Sequence, residues 1–259
     1  MKKILLATIS VFALTSAAMA AELGTEVAID VTENAAGDFV ATPTIDFSIV
    51  GGAGNAFVTL TENNGSIELD EYAIGTTVGV ARVSFGKQGD IFDAFEGGLE
   101  EVGGTTLADP VDDHESLIVS VGDASVLVGL TDISTDVTDV ENVQATYGFG
   151  VNGIGLVGGI DYNFDTEESV LGLASAASLG SLNVASALTY ATATETFAHD
   201  VVVSTRGVSA FINGDDSDLL QNVGAGYTGD LNGMTYYVEG AYNLDAEEFT
   251  PAAGVSFNF

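Results

Sequence analysis

Nearly half of this chain is apolar, yet after its first twenty residues it contains no long uninterrupted apolar stretch. Hydrophobic residues make up 46% of it, and the mean hydropathy is +0.33. A membrane-spanning helix needs about 20 consecutive apolar residues, so a helical membrane protein is excluded for everything after residue 20. The apolar residues are instead dispersed by alternation. Ile45, Phe47 and Ile49 alternate with Thr44, Asp46 and Ser48; Met234, Tyr236 and Val238 alternate with Thr235, Tyr237 and Glu239. A period of two belongs to a β-strand with one apolar and one polar face. A barrel crossing a membrane uses both faces, with the apolar one toward lipid and the polar one toward a wet interior.

The pattern recurs in sixteen segments: Thr25–Thr32, Val40–Val50, Ala56–Glu62, Ser66–Tyr72, Thr76–Phe85, Glu115–Val121, Ala124–Leu130, Val143–Phe149, Ile154–Tyr162, Ser169–Ala177, Leu182–Ala191, Ala198–Ser204, Val208–Ile212, Leu219–Tyr227, Met234–Tyr242 and Pro251–Phe259. Ala124–Leu130 and Ser169–Ala177 lack a clean polar face. Ser66–Tyr72 and Val208–Ile212 are short, so fourteen or twelve strands, which are also even counts, stay open. The expectation is an all-β, antiparallel, up-and-down transmembrane β-barrel forming a single domain over residues 21–259.

The connections fall into two alternating sets. One set is short and glycine-rich: Gly51–Gly54, Ala73–Gly75, Gly122-Asp123, Val151–Gly153, Ser178–Ser181, Thr205–Gly207 and Gly229–Gly233. Such sequences make hairpin turns. The other set carries the acids, among them Glu33, Asp38, Asp132, Asp136, Asp165, Glu167, Glu195, Asp215, Asp216, Asp245 and Glu247. A soluble sandwich has no reason to sort charge this way. A barrel across an asymmetric membrane does, with short turns inside the cell envelope and longer loops outside.

Charge narrows the partners. Beyond Lys2 and Lys3 the chain has three basic residues, Arg82, Lys87 and Arg206, against 38 acids. Nucleic acid is excluded by such a field, and cations are favoured. Acidity also serves solubility in a salty medium, where counter-ions screen self-repulsion. With no cysteine there is no disulfide or thiol chemistry. The two histidines, His114 and His199, sit in no catalytic motif, and a hydrolase needs a nucleophile with an oriented base, so the chain is not expected to be an enzyme.

Both ends agree with export. Lys2 and Lys3 precede an apolar run, and Ala18-Met19-Ala20 is a small-x-small site, the pattern of a secretory signal peptide over residues 1–20. The last segment alternates Val255, Phe257 and Phe259 with Gly254, Ser256 and Asn258. That terminal aromatic strand resembles the C-terminal signature of Gram-negative outer-membrane barrels, which implies Phe257 and Phe259 as the signal read by the barrel-assembly machinery. The longest connection, Gly86 to His114, spans 29 residues, and loops this long are usually functional or disordered. It opens Val83-Ser-Phe-Gly-Lys-Gln-Gly-Asp-Ile-Phe-Asp-Ala-Phe-Glu96. Here the chain resembles the general bacterial porins, whose fifth strand ends in an aromatic-Gly-basic stretch followed by an Asp-Ala segment. The resemblance implies a sixteen-stranded trimeric barrel in the outer membrane, with this loop folded inward to narrow the pore. The chain is short for that family, and its arginine cluster is thin, since Arg82 is the only strand arginine placed to serve it.

A sixteen-stranded barrel is wide enough for an aqueous channel. By alternation Asp30, Asp46, Glu68, Asp70, Asp161 and Glu239 face its lumen. The constriction would be formed by Arg82, Lys87, Asp90, Asp93, Glu96, Glu100, Glu101, Asp109, Asp112 and Asp113. Rings of carboxylates favour cations, so the expected function is passive diffusion of small hydrophilic solutes with cation preference. Two plainer readings stand beside it: the lumen acids simply wet the interior, and Arg82 makes an ordinary ion pair. A structural or adhesive barrel with a plugged lumen is the alternative function. Aromatics near strand ends, such as Phe47, Phe85, Tyr147, Tyr162, Tyr227, Tyr236 and Tyr242, suit interfacial girdles. No cofactor is expected. Asn213-Gly-Asp-Asp-Ser-Asp218 is oxygen-rich but lacks EF-hand spacing, which leaves Ca²⁺ or Mg²⁺ loosely bridging the acidic loops to lipopolysaccharide.

Overall fold

A computed structural model describes residues 22–33, 39–50, 56–63, 66–89, 91–92, 95, 115–130 and 140–258. They form sixteen strands: β1 Glu22–Glu33, β2 Phe39–Val50, β3 Ala56–Asn63, β4 Ser66–Val78, β5 Ala81–Lys87, β6 Glu115–Val121, β7 Ala124–Leu130, β8 Val140–Val151, β9 Ile154–Asn163, β10 Glu168–Leu179, β11 Leu182–Ala191, β12 Thr196–Thr205, β13 Val208–Asp215, β14 Asn222–Leu231, β15 Met234–Asn243 and β16 Glu248–Asn258. Each strand pairs antiparallel with the next, and β1 pairs with β16, so the sheet closes. Closure satisfies every strand edge, as a sheet in lipid requires.

The wall has two unlike faces. Outward stand Ile160, Leu171, Leu173, Leu188, Tyr190, Ile212, Val238, Tyr242 and Phe249, all exposed. An apolar surface this continuous marks contact with an apolar medium, so the barrel is a membrane-spanning one. Aromatic pairs gather near the strand ends: Tyr147 with Phe149 at 6.2 Å, Tyr162 with Phe164 at 4.9 Å, and Tyr227 with Tyr236 at 5.9 Å between ring centroids. The inward rows are small or polar. Asn213, Asn222 and Asn243 are direct cross-strand partners. Asn243 Nδ2 donates to Asn222 Oδ1 at 2.9 Å, and Asn222 Nδ2 donates to Asn213 Oδ1 at 2.8 Å.

The turns explain the sixteen strands. Asn152-Gly153, Arg206-Gly207 and Asn232-Gly233 have both residues at positive φ, the type I′ requirement. Gly79, Gly122 and Gly180 carry positive φ at the first turn position, where only glycine is unstrained. At the opposite end, Glu167, Glu195 and Glu247 take positive φ as the last residues of tight loops. Two of these loops share Asn-x-Asp-x-Glu-Glu. Asn163 Oδ1 accepts from the amides of Asp165 and Thr166, and Asn243 Oδ1 from those of Asp245 and Ala246, at 2.7–3.0 Å.

Most boundaries shift by a few residues, β14 for one running Asn222–Leu231 where Leu219–Tyr227 is expected, and one shift moves a turn. Ala73–Gly75 is not a turn: β4 runs through it to Val78, and the chain reverses at Gly79-Val80. Thr76–Phe85 is therefore the end of one strand and the start of another. A register shift between Val58 and Leu60 sets Asp70 and Glu71 against Thr59 alone. That extra residue reverses the alternation along β4 and hides its continuity.

Candidate functional site

The long connection leaves β5 after Lys87, one residue past Gly86, whose φ is +154°. Its described residues turn into the barrel. Gln88 Nε2 donates to the Ser116 carbonyl at 3.4 Å, and the Ile91 amide donates to Gln144 Oε1 at 3.2 Å. The Phe95 amide bonds the Phe92 carbonyl at 2.8 Å, closing a tight turn. This brings the two rings together, with centroids 4.6 Å apart and planes at 55°. Both phenylalanines are 0% exposed and cluster with Ala174, with Val157 and Val170 packed against them.

The seat is made of glycine. Gly159 of β9 and Gly172 of β10 are direct cross-strand partners. A Cβ on Gly172 would lie 2.8 Å from Phe95 Cγ, and one on Gly159 would lie 2.7 Å from Phe95 Cε2. Glycine inside a strand often marks such a close approach. Beside the seat, Asn142 Nδ2 donates to Asp161 Oδ1 at 3.1 Å, and Gln144 is fully buried. The lumen row of β10 therefore reads Val170, Gly172, Ala174. It shows no polar face in the sequence because aromatic rings, not water, cover it.

The expected site residues are placed unevenly. Asp161 is 1% exposed and bonded to Asn142, and Glu239 is 6% exposed on β15 between Gly226 and Ala252. Asp30 pairs with Thr42 and Gly254, and Asp46 with Glu26 and Thr61. Arg82 is exposed near the start of β5, opposite Thr77 and Ser120, close to the Gly79-Val80 turn. Lys87 stands opposite Tyr72 and Glu115, and Tyr72 Oη donates to Glu115 Oε1 at 3.1 Å. These three occupy the outer row, because Ala73, Gly86 and Ser116 are the buried inner neighbours. Phe257 is on the outer row, opposite Val27 and Met234. Asp90, Asp93, Glu96, Glu100, Glu101, Asp109, Asp112, Asp113 and Phe259 lie outside the described residues, as does the leader at 1–20. The sequence reading missed Phe92, Phe95, Gly159, Gly172 and Gln144. Glycines inside two adjacent strands were the available signal.

At the acidic rim, Asp215 Oδ1 accepts from the Ser217 amide and hydroxyl and from the Asp218 amide at 2.6–2.9 Å. Its oxygen is thereby committed to its own backbone. Among the described residues no group of three or more metal-ligating side chains converges. Asp245 sits beside Asp218. Hydrogen bonding to that carboxyl, its charge, burial and the charge of Asp215 together raise the Asp245 pKa above the ordinary carboxylate value. A raised carboxyl holds its proton more tightly in the folded state, so its contribution to stability is present at low pH and lost as pH rises through the raised value. Asp218→Asn is expected to move the Asp245 titration back down, read by carboxyl-carbon NMR against pH. An unchanged titration would dissociate the two groups.

No family model matches the chain, and no curated protein sequence matches it. Solved structures do. A mutant porin of Rh. blastica superposes with a TM-score of 0.69 at 13% identity, covering 93% of this chain and 100% of that one. OmpF of Salmonella typhi gives 0.61 at 13% identity over 92% and 97% of the two chains. An anion-selective porin from Comamonas acidovorans gives 0.55 at 11% identity over 93% and 99%. Those superpositions cover more than nine-tenths of this closed sixteen-stranded barrel, and the chain has the fold of the Gram-negative outer-membrane porins.

Proposed function

We propose that the chain forms a water-filled outer-membrane channel through which small hydrophilic solutes diffuse passively, with a preference for cations. The observation that carries this reading is the inward loop: its aromatic pair rests on the inner wall of β8–β10, in a barrel too wide for its own side chains to fill. Cation preference is read from charge. The same fold serves an anion-selective porin in Comamonas acidovorans, so selectivity resides in side chains, and here, beyond Lys2 and Lys3, three basic residues stand against 38 acids. Asp90, Asp93, Glu96, Glu100, Glu101, Asp109, Asp112 and Asp113 would supply the loop's negative field, with Asp30, Asp46 and Glu239 along the wall and Arg82 near one mouth.

The leader over 1–20 would be removed on export, and Phe257 with Phe259 would present the last strand to the barrel-assembly machinery. Homotrimer formation is supported by the short wall of β5, β6 and β7. They have seven residues each, against the 9–11 or so of a spanning strand, and so low a wall is better covered by protein than by lipid. Its outer row carries the Tyr72–Glu115 pair beside Lys87. Divalent cations would bridge the acidic rim to lipopolysaccharide.

The test is reconstitution in planar bilayers with single-channel conductance and reversal potential in a salt gradient. Openings in steps of three with a cation-selective reversal potential are expected. A folded barrel that stays silent would overturn the channel and favour a structural or adhesive barrel with a plugged lumen.

A further inference from the structure

We propose that the Gly159–Gly172 slot is a latch seat, and that Phe92 and Phe95 docked in it hold the long loop against one wall and so set the width of the passage. The inference deepens the channel reading and rests on it. The loop could be held by charge or by apolar contact, and the wall decides between them. β8, β9 and β10 contain no lysine or arginine, so this wall offers the acidic loop no cationic partner. It offers a dent instead. The ring of Phe95 lies over Gly172, and its far edge reaches Gly159. Phe92 Cε2 lies 3.0 Å from a Cβ placed at Gly159. Real Cβ atoms essentially never come within 3.0 Å of a neighbour, so any side chain at these two positions forces the rings to shift, and a large one leaves them no seat. Both rings are lost from water completely. In a water-filled lumen that burial drives docking without direction or charge. The Ile91–Gln144 and Phe95–Phe92 bonds satisfy the backbone that the turn carries inward.

An apolar latch differs from an electrostatic one in a readable way, since screening weakens ion pairs and leaves hydrophobic contact intact. The loop should therefore stay docked across a wide range of salt.

The chain has no cysteine, which allows a direct test. Phe95→Cys combined with Gly172→Cys places the two Cβ atoms near disulfide spacing, because a Cβ at Gly172 already lies 2.8 Å from Phe95 Cγ. Oxidation of the folded, membrane-inserted protein should give the intramolecular bond at low and at high salt, read by mass after digestion. The oxidised protein should conduct as the wild type does. Gly172→Leu should evict the loop, exposing it to protease and raising both the single-channel conductance and the largest sugar admitted in liposome swelling. Phe92→Ser with Phe95→Ser, which alters the loop and leaves the barrel strands untouched, should do the same. A failed crosslink in a conducting protein, or serine variants with unchanged conductance and sugar limit, would overturn the latch. A crosslink that forms in a protein that never conducts would instead sink the channel reading and leave the docking intact.

Discussion

Gly86→Ala is expected to prevent stable closure between β4 and β5. At φ +154° the residue is in a region that side chains rarely adopt. A Cβ there would run into the Tyr72 carbonyl oxygen and lie 2.7 Å from Ala73 Cα. Both are backbone atoms of the neighbouring strand, and Ala73 is the direct partner of Gly86. No rotamer change relieves such a clash; the ladder itself must open. Losses above about 4 kcal/mol come from faults of this kind. Gly79 is the control. Its φ is +65°, but nothing lies within 4 Å of its missing Cβ, so Gly79→Ala should cost only the left-handed conformation, about 1–2 kcal/mol. The gel shift between folded and heat-denatured barrel separates the cases: Gly86→Ala should lose the folded band, and Gly79→Ala should keep it. Equal folded yields would mean that β4 and β5 can separate at no cost.

Leu173→Arg should be the most damaging change on the outer wall. Leu173 lies mid-way along β10, 47% exposed, opposite Leu188 and beside Leu171. A cation facing lipid at the bilayer midplane costs roughly 2–4 kcal/mol, falling to about 0–1 near the interface. Leu179 is on the same strand and 66% exposed, but adjoins the Gly180-Ser181 turn. Leu179→Arg should therefore be nearly silent. Urea unfolding in lipid vesicles measures both, and a Leu173→Arg midpoint equal to that of Leu179→Arg would remove the lipid belt from this wall.

The separation of Leu173 from its neighbours Gly172 and Ala174 was legible in the amino-acid order, but not which row meets lipid, because Ser169–Ala177 has no clean polar face. Alternation assigns Leu171 and Leu173 to one face and Gly172 and Ala174 to the other without reference to any fold. The turns were legible too. Asn152-Gly153 and Asn232-Gly233 declare hairpins because few other pairs take positive φ twice at low cost. Alternation failed at β4, where a bulge at Asp70 and Glu71 shifted the phase, so Gly75 passed for a turn and Gly79 was overlooked. Lys87 is a constriction residue only by resemblance; its register after Gly86 puts it on the outer row with Tyr72 and Glu115.

The alternating faces, most of the glycine turns and the acidic rim are local properties. They follow from period two, glycine turns and charge order, and this chain determines them by itself. What Phe92 and Phe95 touch is not local. Their seat is made by Gly159 and Gly172, more than sixty positions away, and it exists only when β9 and β10 pair in the register that sets those two glycines opposite each other. A one-residue slip would turn both toward lipid. Only the closed barrel decides whether two unremarkable glycines become a wall or a slot, because their function is the space they leave for another part of the chain.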